Sequence, residues 1–143
     1  MNPSIWGSYF WKVIHFTALG YPKNPTETDK DVYVTFYRTI GKILPCEKCS
    51  KNYKRHFENI PIDFFLESRK TLFKWTVHLH NTVNKELGKP QWSQEFAESH
   101  YMSLINNQNA VLTQRPMRLS YIFIPMIILF ILVVILLFFT KNK

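Results

Sequence analysis

Cysteine is scarce in this chain, and its scarcity excludes one class of fold. Only Cys46 and Cys49 occur among the 143 residues, three positions apart in the segment LPCEKC. Small secreted domains are usually held together by several disulfides, which two neighbouring cysteines cannot supply. A C-x-x-C pair outside such a framework is more typical of a metal site or of a dithiol that cycles with a disulfide.

The features of a nucleic-acid-binding protein are also missing. The formal net charge is +8 at pH 7, but residues 1–114 hold 14 Lys and Arg against 10 Asp and Glu, which leaves +4 there. The other +4 lies in residues 115–143, on either side of an apolar run, where it suits anionic lipid headgroups. No RNP motif, zinc-finger spacing or long basic run accompanies the charge, so we predict no nucleic-acid partner.

Strand-like alternation, internal repeats and low-complexity segments are absent, whereas apolar residues recur at helical spacing. Gly20 and Pro22 end the first helical segment, Pro45 breaks the second, and Gly88 closes the fourth. The predicted helices cover 3–19, 26–44, 46–58, about 68–87, and a segment that begins after the N-cap residue Ser93. The sequence therefore predicts an all-α bundle of four or five helices.

One long hydrophobic run, residues 121–139, contains 19 residues without a charge. At ~1.5 Å per residue a helix of this length spans about 30 Å, the thickness of bilayer hydrocarbon, and so small a protein could not bury every face of such a helix. No similar run or signal peptide occurs near the N-terminus. We expect a soluble domain on the cytoplasmic side and a single-pass C-terminal anchor, with boundaries at 1–108 (domain), 109–118 (linker), 119–140 (transmembrane helix) and 141–143 (tail).

Three interpretations of the C-x-x-C pair remain open on the pair alone. At a helix N-terminus the free amides and the helix dipole favour a thiolate, and Lys48 adds a cation, so the pair suits disulfide exchange. A zinc site would need two further ligands, for which His56, His78 and His80 are candidates at an unusual spacing. The third interpretation is two cysteines packed in a core. A thioredoxin fold is not predicted, because it would need strands around the motif.

A polar face on the fourth predicted helix suggests a ligand site. His80, Asn81 and Asn84 lie three or four positions apart or side by side and share this face, although Asn is unfavourable inside a helix. Lys85, Lys89 and Trp92 follow them near the helix end. Such a face could hold a flat polar heterocycle, with the lysines meeting phosphates and the indole covering a ring. The alternative is a helix whose solvent end is simply polar.

A second patch, on the first predicted helix, favours the ligand site. Gly7, Trp11 and His15 recur at steps of four and therefore share one helical face. Glycine allows a ligand to approach the backbone closely, and the two rings offer stacking and hydrogen bonding.

Together these segments resemble the FAD-linked sulfhydryl oxidases of the Erv/ALR family, over about residues 3–105. The motif G-x-x-x-W-x-x-x-H appears as Gly7, Trp11 and His15 and is followed by Tyr21 and Pro22; P-C-x-x-C appears as Pro45, Cys46 and Cys49, with Tyr53 at an aromatic position. The motif H-N-x-V-N-x-x-L-G-K-P appears as His80, Asn81, Val83, Asn84, Leu87, Gly88, Lys89 and Pro90, and Trp92 follows it.

The resemblance implies a four-helix bundle plus a short fifth helix, with FAD in the mouth of the bundle and no metal. It implies that substrate thiols attack Cys46 and that Cys49 is the sulfur next to the flavin. Electrons would pass from a protein dithiol through this pair to FAD and then to O2, giving hydrogen peroxide. The cofactor-binding residues implied are Gly7, Trp11, His15, Tyr21, His80, Asn81, Val83, Asn84, Lys85, Lys89 and Trp92.

The chain departs from the family pattern at three points. Ser8 stands where an Arg often follows the first glycine, and Val77 and Gln94 stand where many members carry a structural cysteine pair. No flexible shuttle dithiol is present, so substrates or a separate thioredoxin-like carrier would have to reach Cys46 directly.

The short, membrane-linked form without a shuttle resembles the versions of large DNA viruses. That resemblance implies a late viral protein, a homodimer, and an oxidase domain that faces the cytoplasm. Host endoplasmic reticulum and virion membranes are the expected locations. A zinc-binding, tail-anchored membrane adaptor is the alternative function.

Overall fold

The computed structural model describes residues 1–113, 125–132 and 137. The described chain is helical, which confirms the all-α prediction, and the bounds of the first four helices agree with the predicted ones within two residues. The helices are α1 (Pro3–Leu19), α2 (Glu27–Lys42), α3 (Glu47–Asn59), α4 (Arg69–Glu86) and α5 (Gln94–Thr113), with a 3-10 turn (Ile62–Phe65) before α4. Two compact units are present, Met1–Met102 and Ser103–Lys143.

Side-chain caps explain where the helices begin. Thr26 precedes α2 and forms a capping box with Asp29, and Ser68 precedes α4 and forms one with Thr71. Each box satisfies two backbone N–H groups that the first turn leaves without partners. After α4, Gly88 adopts a left-handed conformation with φ of 64°, which reverses the chain at little steric cost.

The core of the first unit is built around α4, which packs against α1, α3 and the 3-10 turn. The Trp75 side chain is fully buried, and its indole N–H donates to the carbonyl of Ile60 over 2.8 Å. Leu72, Phe73 and Leu79 complete the buried face of this helix. The predicted ligand-binding residues of α4 therefore lie on a helix whose other face is buried in the apolar core.

Two buried tyrosines tie the first three helices together. The Tyr53 hydroxyl on α3 donates to the Tyr37 carbonyl on α2 over 2.9 Å, and the Tyr37 hydroxyl donates to the Ile14 carbonyl on α1 over 3.1 Å. Burial raises the pKa of both tyrosines, so both hydroxyls keep their protons. Gly41 lets α2 and α3 approach, because a Cβ there would overlap the Tyr53 ring.

The fifth helix is longer than predicted. It extends from Gln94 to Thr113, so residues 109–113, assigned above to a linker, are helical. Neither glycine nor proline occurs between Ser93 and Pro116, and nothing in that stretch stops a helix.

Most of the predicted transmembrane segment, 119–140, lies outside the described residues. Residues 125–132 are helical and exposed. Among the residues that the structure describes, no helix combines the length and apolarity needed to cross a bilayer.

Val32 on α2 and Ile43 just after it lie at the surface, whereas Ile40 on the same helix is buried. Val32 and Ile43 keep 58% and 64% of their surface exposed, and Tyr9 on α1 keeps 66%. These side chains border a cavity of about 580 Å³ between the two helices, called here the α1–α2 groove. The groove is lined by Tyr9, Phe10, Val13, Val32, Thr35, Phe36, Thr39, Ile40 and Ile43.

Candidate active site

The two cysteines form a disulfide at the N-terminus of α3. Their Cα atoms lie 5.2 Å apart. Cys46 is the N-cap residue, and the Cys49 backbone N–H donates to its Sγ over 3.2 Å. Both residues are half-buried. The helix amides and dipole therefore act on a sulfur that solvent and other molecules can reach.

His15 and His80 form a hydrogen-bonded pair between α1 and α4. His15 Nε2 lies 3.1 Å from His80 Nδ1, and His15 Nδ1 lies 2.9 Å from Thr76 Oγ1. The Thr76 hydroxyl donates its proton to the Phe73 carbonyl over 2.7 Å, so Thr76 accepts from His15 Nδ1. Consequently His15 Nε2 is the acceptor for the Nδ1 proton of His80, and both tautomers are fixed.

Both imidazoles are uncharged at neutral pH. Burial, with smaller electrostatic contributions from His80 and His100, lowers the pKa of His15 to about 3. Burial, with a smaller contribution from the Lys89 cation, lowers the pKa of His80 to about 4. The pair is a neutral polar surface inside an aromatic cluster.

Aromatic rings surround the histidine pair, and these rings with the two imidazoles are called here the histidine cluster. Trp11 stacks on His80 with ring centroids 3.9 Å apart and planes within 9°. Trp92 lies beside His80 at 5.8 Å, and Tyr101 on α5 lies 4.7 Å from His15. Thus motifs that are far apart in sequence meet at one place.

The two asparagines of the H-N-x-V-N motif fasten the loop that follows α4. The Asn81 amide donates to the Trp92 carbonyl over 2.8 Å and accepts from the Trp92 backbone N–H over 2.9 Å. Asn84 donates to the Pro90 carbonyl over 3.2 Å. Both amides therefore position Trp92; direct contact of either asparagine with a cofactor stays a prediction.

The remaining predicted residues divide into two groups. Val83 is half-buried on α4, Lys85 and Lys89 are exposed near its end, and no atom lies within 4 Å of a Cβ added at Gly7. Tyr21 is buried elsewhere, where its hydroxyl donates to the Leu66 carbonyl and its ring meets Tyr33. Among the described residues, no ring contact or hydrogen bond joins Tyr21 to the histidine cluster.

Sequence reasoning missed Thr76 and Tyr101 as parts of this site. Thr76 is fully buried four residues before His80, and its hydroxyl decides the tautomer of His15. The i, i+4 spacing of a hydroxyl and a histidine was the available signal. Tyr101 carried only the apolar periodicity of α5. Burial raises its pKa to about 12.

The sequence of residues 8–104 matches the Erv1/Alr family. The chain belongs to the Erv1/Alr family. It is 49% identical over 90 residues to a probable FAD-linked sulfhydryl oxidase, R368, of Acanthamoeba polyphaga mimivirus, which covers 62% of this chain and 63% of that protein. It is 38% identical over 95 residues to a putative FAD-linked sulfhydryl oxidase, 347L, of Invertebrate iridescent virus 6, with 63% and 86% covered.

Solved structures of the Erv1/Alr family share the fold. The crystal structure of the yeast Erv1 core superposes with a TM-score of 0.65 at 30% identity and covers 70% of this chain and 83% of that one. The FAD-binding domain of Erv1 from Saccharomyces cerevisiae also gives 0.65, at 31% identity, with 69% and 92% covered. The chain spans less than two thirds of the mimivirus relative and 49% of the mitochondrial yeast protein.

The residues at the histidine cluster fit a flavin nucleotide. The rings of Trp11 and His80 lie directly against each other, so no ligand ring fits between them. Each ring offers a ligand only its outer face. Both are only partly buried, and the neutral imidazoles suit an uncharged heterocycle. Exposed Lys85 and Lys89 supply cations for a pyrophosphate, and the open side of Gly7 leaves room near the same helix face.

Two cavities in the described part of the chain lie away from the histidine cluster. One is the α1–α2 groove. The other, of about 620 Å³, lies between α2, α3 and the segment before the 3-10 turn and is called here the α2–α3 cleft. Its lining residues are Arg38, Gly41, Lys42, Ser50, Lys51, Tyr53, Lys54, Phe57, Glu58, Pro61, Ile62 and Asp63.

The zinc alternative finds no support in the structure. Within residues 1–113 and the other described positions, no group of three or more His, Cys, Asp or Glu side chains is arranged to hold a metal ion. His56, one of the candidate ligands, is instead buried against Glu86, with Nε2 and Oε2 3.1 Å apart. Arg55 binds the other carboxylate oxygen of Glu86.

Proposed function

We propose that this chain is an FAD-dependent thiol oxidase that forms disulfide bonds in protein substrates. The observation that carries the proposal is the half-buried Cys46–Cys49 disulfide at the N-terminus of α3, in a domain of the Erv1/Alr family. The names of the viral relatives, FAD-linked sulfhydryl oxidases, support it. When bound, FAD supplies a two-electron acceptor that O2 can reoxidise, with hydrogen peroxide as the product.

Disulfide exchange at Cys46 begins the reaction. A substrate thiolate attacks Cys46 Sγ, forms a mixed disulfide and releases Cys49 as a thiolate. The second thiolate of the substrate then attacks the substrate sulfur of the mixed disulfide and releases Cys46 as a thiolate. The products are a substrate disulfide and a reduced Cys46–Cys49 pair, so bonds and electrons balance.

The position of Cys46 assists the second step. In that step Cys46 is the leaving group, and a more stable thiolate leaves faster. The N–H of Cys49 and the N-terminal end of the helix dipole both stabilise negative charge on Cys46 Sγ. Cys49, the sulfur that the family resemblance places on the cofactor side, is then free to be reoxidised.

The histidine cluster and its neighbours would hold the cofactor. Trp11, His80 and Trp92 offer ring faces, and Lys85 and Lys89 offer cations. His15 fixes His80, Asn81 holds Trp92, and Asn84 holds Pro90 in the same loop. Tyr21 lies apart from this cluster, and its predicted role in cofactor binding rests on the family resemblance alone.

The visible absorption spectrum of the purified full chain in detergent tests the function. We expect a yellow protein with flavin absorbance that consumes O2 and releases hydrogen peroxide when dithiothreitol is added. A folded protein without bound flavin, and without oxygen uptake after FAD is supplied, would contradict the proposal.

A C-terminal membrane anchor is part of the proposal. The uncharged run at 121–139 supports it, as do the cations on either side of that run. The oxidase domain would face the cytoplasm at host endoplasmic reticulum or virion membranes, and the relatives from two DNA viruses support a viral setting. Retention of the chain in membranes after carbonate extraction, with residues 1–108 open to added protease, is the expected result.

A homodimer is also part of the proposal, and the α1–α2 groove supports it. Large apolar side chains such as Tyr9, Val32 and Ile43 are mostly exposed there, an arrangement typical of an interface. We expect Val32→Lys to convert a dimer into a monomer in analytical ultracentrifugation. A wild-type monomer at all concentrations would contradict the dimer without affecting the oxidase.

A further inference from the structure

The positive charge of the soluble part is concentrated around the dithiol. Residues 38–58 contain six Lys and Arg against two Glu, which gives +4, and residues 1–114 as a whole also carry +4. The remainder of residues 1–114 therefore holds eight cations and eight anions, which balance. The excess charge lies on the end of α2 and on α3, the two helices on either side of the turn that carries Cys46.

The α2–α3 cleft lies along the face of α3 that begins at Cys46. Ser50, Tyr53 and Phe57 follow Cys46 at steps of three or four, so they share its side of the helix. Their side chains line the cleft, and the buried ring of Tyr53 forms part of its floor. Neither cysteine lines the cleft, but Ser50, which does, lies one helical turn after Cys46, so a chain bound in the cleft would approach the dithiol.

The cations at the cleft are only partly neutralised. Lys51 pairs with Glu47 at 2.7 Å, and Lys54 approaches Glu58 at 3.8 Å; both lysines stay about three-quarters exposed. Such exposed pairs contribute little and leave the cations available. The acidic residues that line the cleft, Glu58 and Asp63, are farther from Cys46 in the sequence than Lys51 and Lys54 are.

Two further cations of the cleft have no acidic partner. Among the described residues, no carboxylate lies within ion-pair distance of Arg38 or Lys42, both of which are exposed. The Arg38 guanidinium lies 6.0 Å from the centre of the Phe57 ring, above the cleft wall. A basic edge above a partly apolar floor suits a peptide that carries acidic side chains.

We propose that the α2–α3 cleft binds an acidic segment next to the dithiol of the protein substrate, an inference that rests on the proposed oxidase function. The distance along α3 from Cys46 to Phe57 is about 16 Å at ~1.5 Å per residue, which about five extended residues would span. The charge complementarity accelerates the encounter and weakens as salt screens it.

Three synthetic peptides with the same cysteine pair test this inference on the full chain in detergent. Five flanking residues contain glutamates in one peptide, serines in the second and lysines in the third. We expect kcat/KM to be about tenfold higher for the glutamate peptide than for the serine peptide at low salt, and lowest for the lysine peptide. Adding about 0.5 M NaCl, which shortens the Debye length to about 4 Å, should remove most of the difference.

A double charge reversal, Arg38→Glu with Lys42→Glu, is expected to abolish the preference for the glutamate peptide. Lys74→Glu, which reverses one charge at an exposed position on α4, is the control. This variant should keep the preference for the glutamate peptide. Dithiothreitol, which has no flanking segment, should be oxidised at the same rate by all variants. Binding of a glutamate peptide with both cysteines replaced by serine, followed by fluorescence anisotropy, should change in parallel with kcat/KM.

Two results would overturn the inference while leaving the oxidase function intact. One is equal kcat/KM for the three peptides together with normal oxidation of dithiothreitol. The other is binding to phosphatidylserine vesicles that the double reversal removes, with no preference among peptides, since the cationic edge would then serve lipid. Failure to oxidise dithiothreitol would instead overturn the proposed function, and this inference with it.

Discussion

The histidine cluster and the dithiol, two regions of one small unit, differ in almost every physical property. In the histidine pair His15 is buried and His80 is half-buried; both are uncharged and lie among aromatic rings, and hydrogen bonds between α1 and α4 fix their protons. The disulfide is half-exposed at a helix terminus, and six cations occur within residues 38–58 around it. A desolvated aromatic surface suits the binding of a heterocycle, whereas an open, cationic terminus suits the exchange of thiolates.

The difference shows how the domain can combine two demands that conflict in one place. A cofactor site benefits from exclusion of water, but a site for protein dithiols has to remain accessible. In this fold the accessible residues are on α3, and the desolvated ones are between α1 and α4. Changes confined to one region should therefore leave the other intact.

The largest expected effect comes from breaking the dithiol alone. Cys46→Ser should lower the rate of dithiothreitol oxidation by at least about 10³-fold, because no disulfide can form at α3. Flavin absorbance and the unfolding temperature should stay near wild type, since the histidine cluster is untouched. Substantial residual oxidation by the variant would show that the pair is not the site of exchange.

The next effect is a dependence of stability on pH that belongs to the histidine cluster. Both imidazoles have folded pKa values below the ordinary 6.5, so between about pH 6.5 and pH 4 the unfolded chain binds more protons. The free energy of unfolding should therefore fall as pH is lowered through this range, by about 2 kcal/mol for one such imidazole at pH 5.

Urea unfolding at pH 7 and pH 5 measures this dependence. His15→Gln removes one of the two groups and should reduce the difference between the two pH values. His78→Gln, at an exposed position on the same helix as His80, should leave the difference unchanged. An equal loss of pH dependence in both variants would contradict the assignment.

A smaller loss of stability is expected when the packing beneath the dithiol helix is altered. Gly41→Ala would place a methyl group 2.7 Å from Cε1 of the buried Tyr53 ring. Overpacking of this kind typically costs about 1–3 kcal/mol of unfolding free energy. Gly7→Ala is the matched control, because no atom lies within 4 Å of its added Cβ. Equal unfolding midpoints for the two variants in urea would contradict this view of the α2–α3 contact.

The smallest expected effect sharpens the role of the aromatic stack. Trp11→Ala removes the ring that covers His80 and should weaken FAD binding by about tenfold, or ~1.4 kcal/mol. The midpoint potential of the Cys46–Cys49 pair, measured in a glutathione buffer, should not change. An altered potential would show that the two regions are less independent than their structures indicate.

Local chemistry made much of the helical architecture predictable. Pro45, Gly88 and Ser68 limit helices through backbone and capping effects that act within a few residues, and the structure places the helix ends there. The length of α5 was missed because residues 106–109 are polar, although no residue from 106 to 113 stops a helix. Polarity alone does not distinguish a linker from an exposed helix.

The sequence predicted which side chains share a helix face but only part of their contacts, and their role in cofactor binding stays a prediction. Spacing placed His80, Asn81 and Asn84 on one face, but it could not show that the amides bind the loop that ends at Trp92. That outcome depends on the turn at Gly88, which brings distant residues together. Likewise, helical spacing could not show whether Val32 on α2 faces a core or solvent, because that depends on the other helices.

The hydrogen bonds of Tyr53 and Tyr37 connect α3, which carries the disulfide, through α2 to α1, which carries His15. Tyr53 links α3 to α2, and Tyr37 links α2 to Ile14, the residue directly before His15. A tilt of α3 would therefore strain both hydrogen bonds and displace the backbone beside His15. The orientation of the dithiol helix is therefore coupled, through hydrogen bonds that pass by way of α2, to the part of α1 that carries His15.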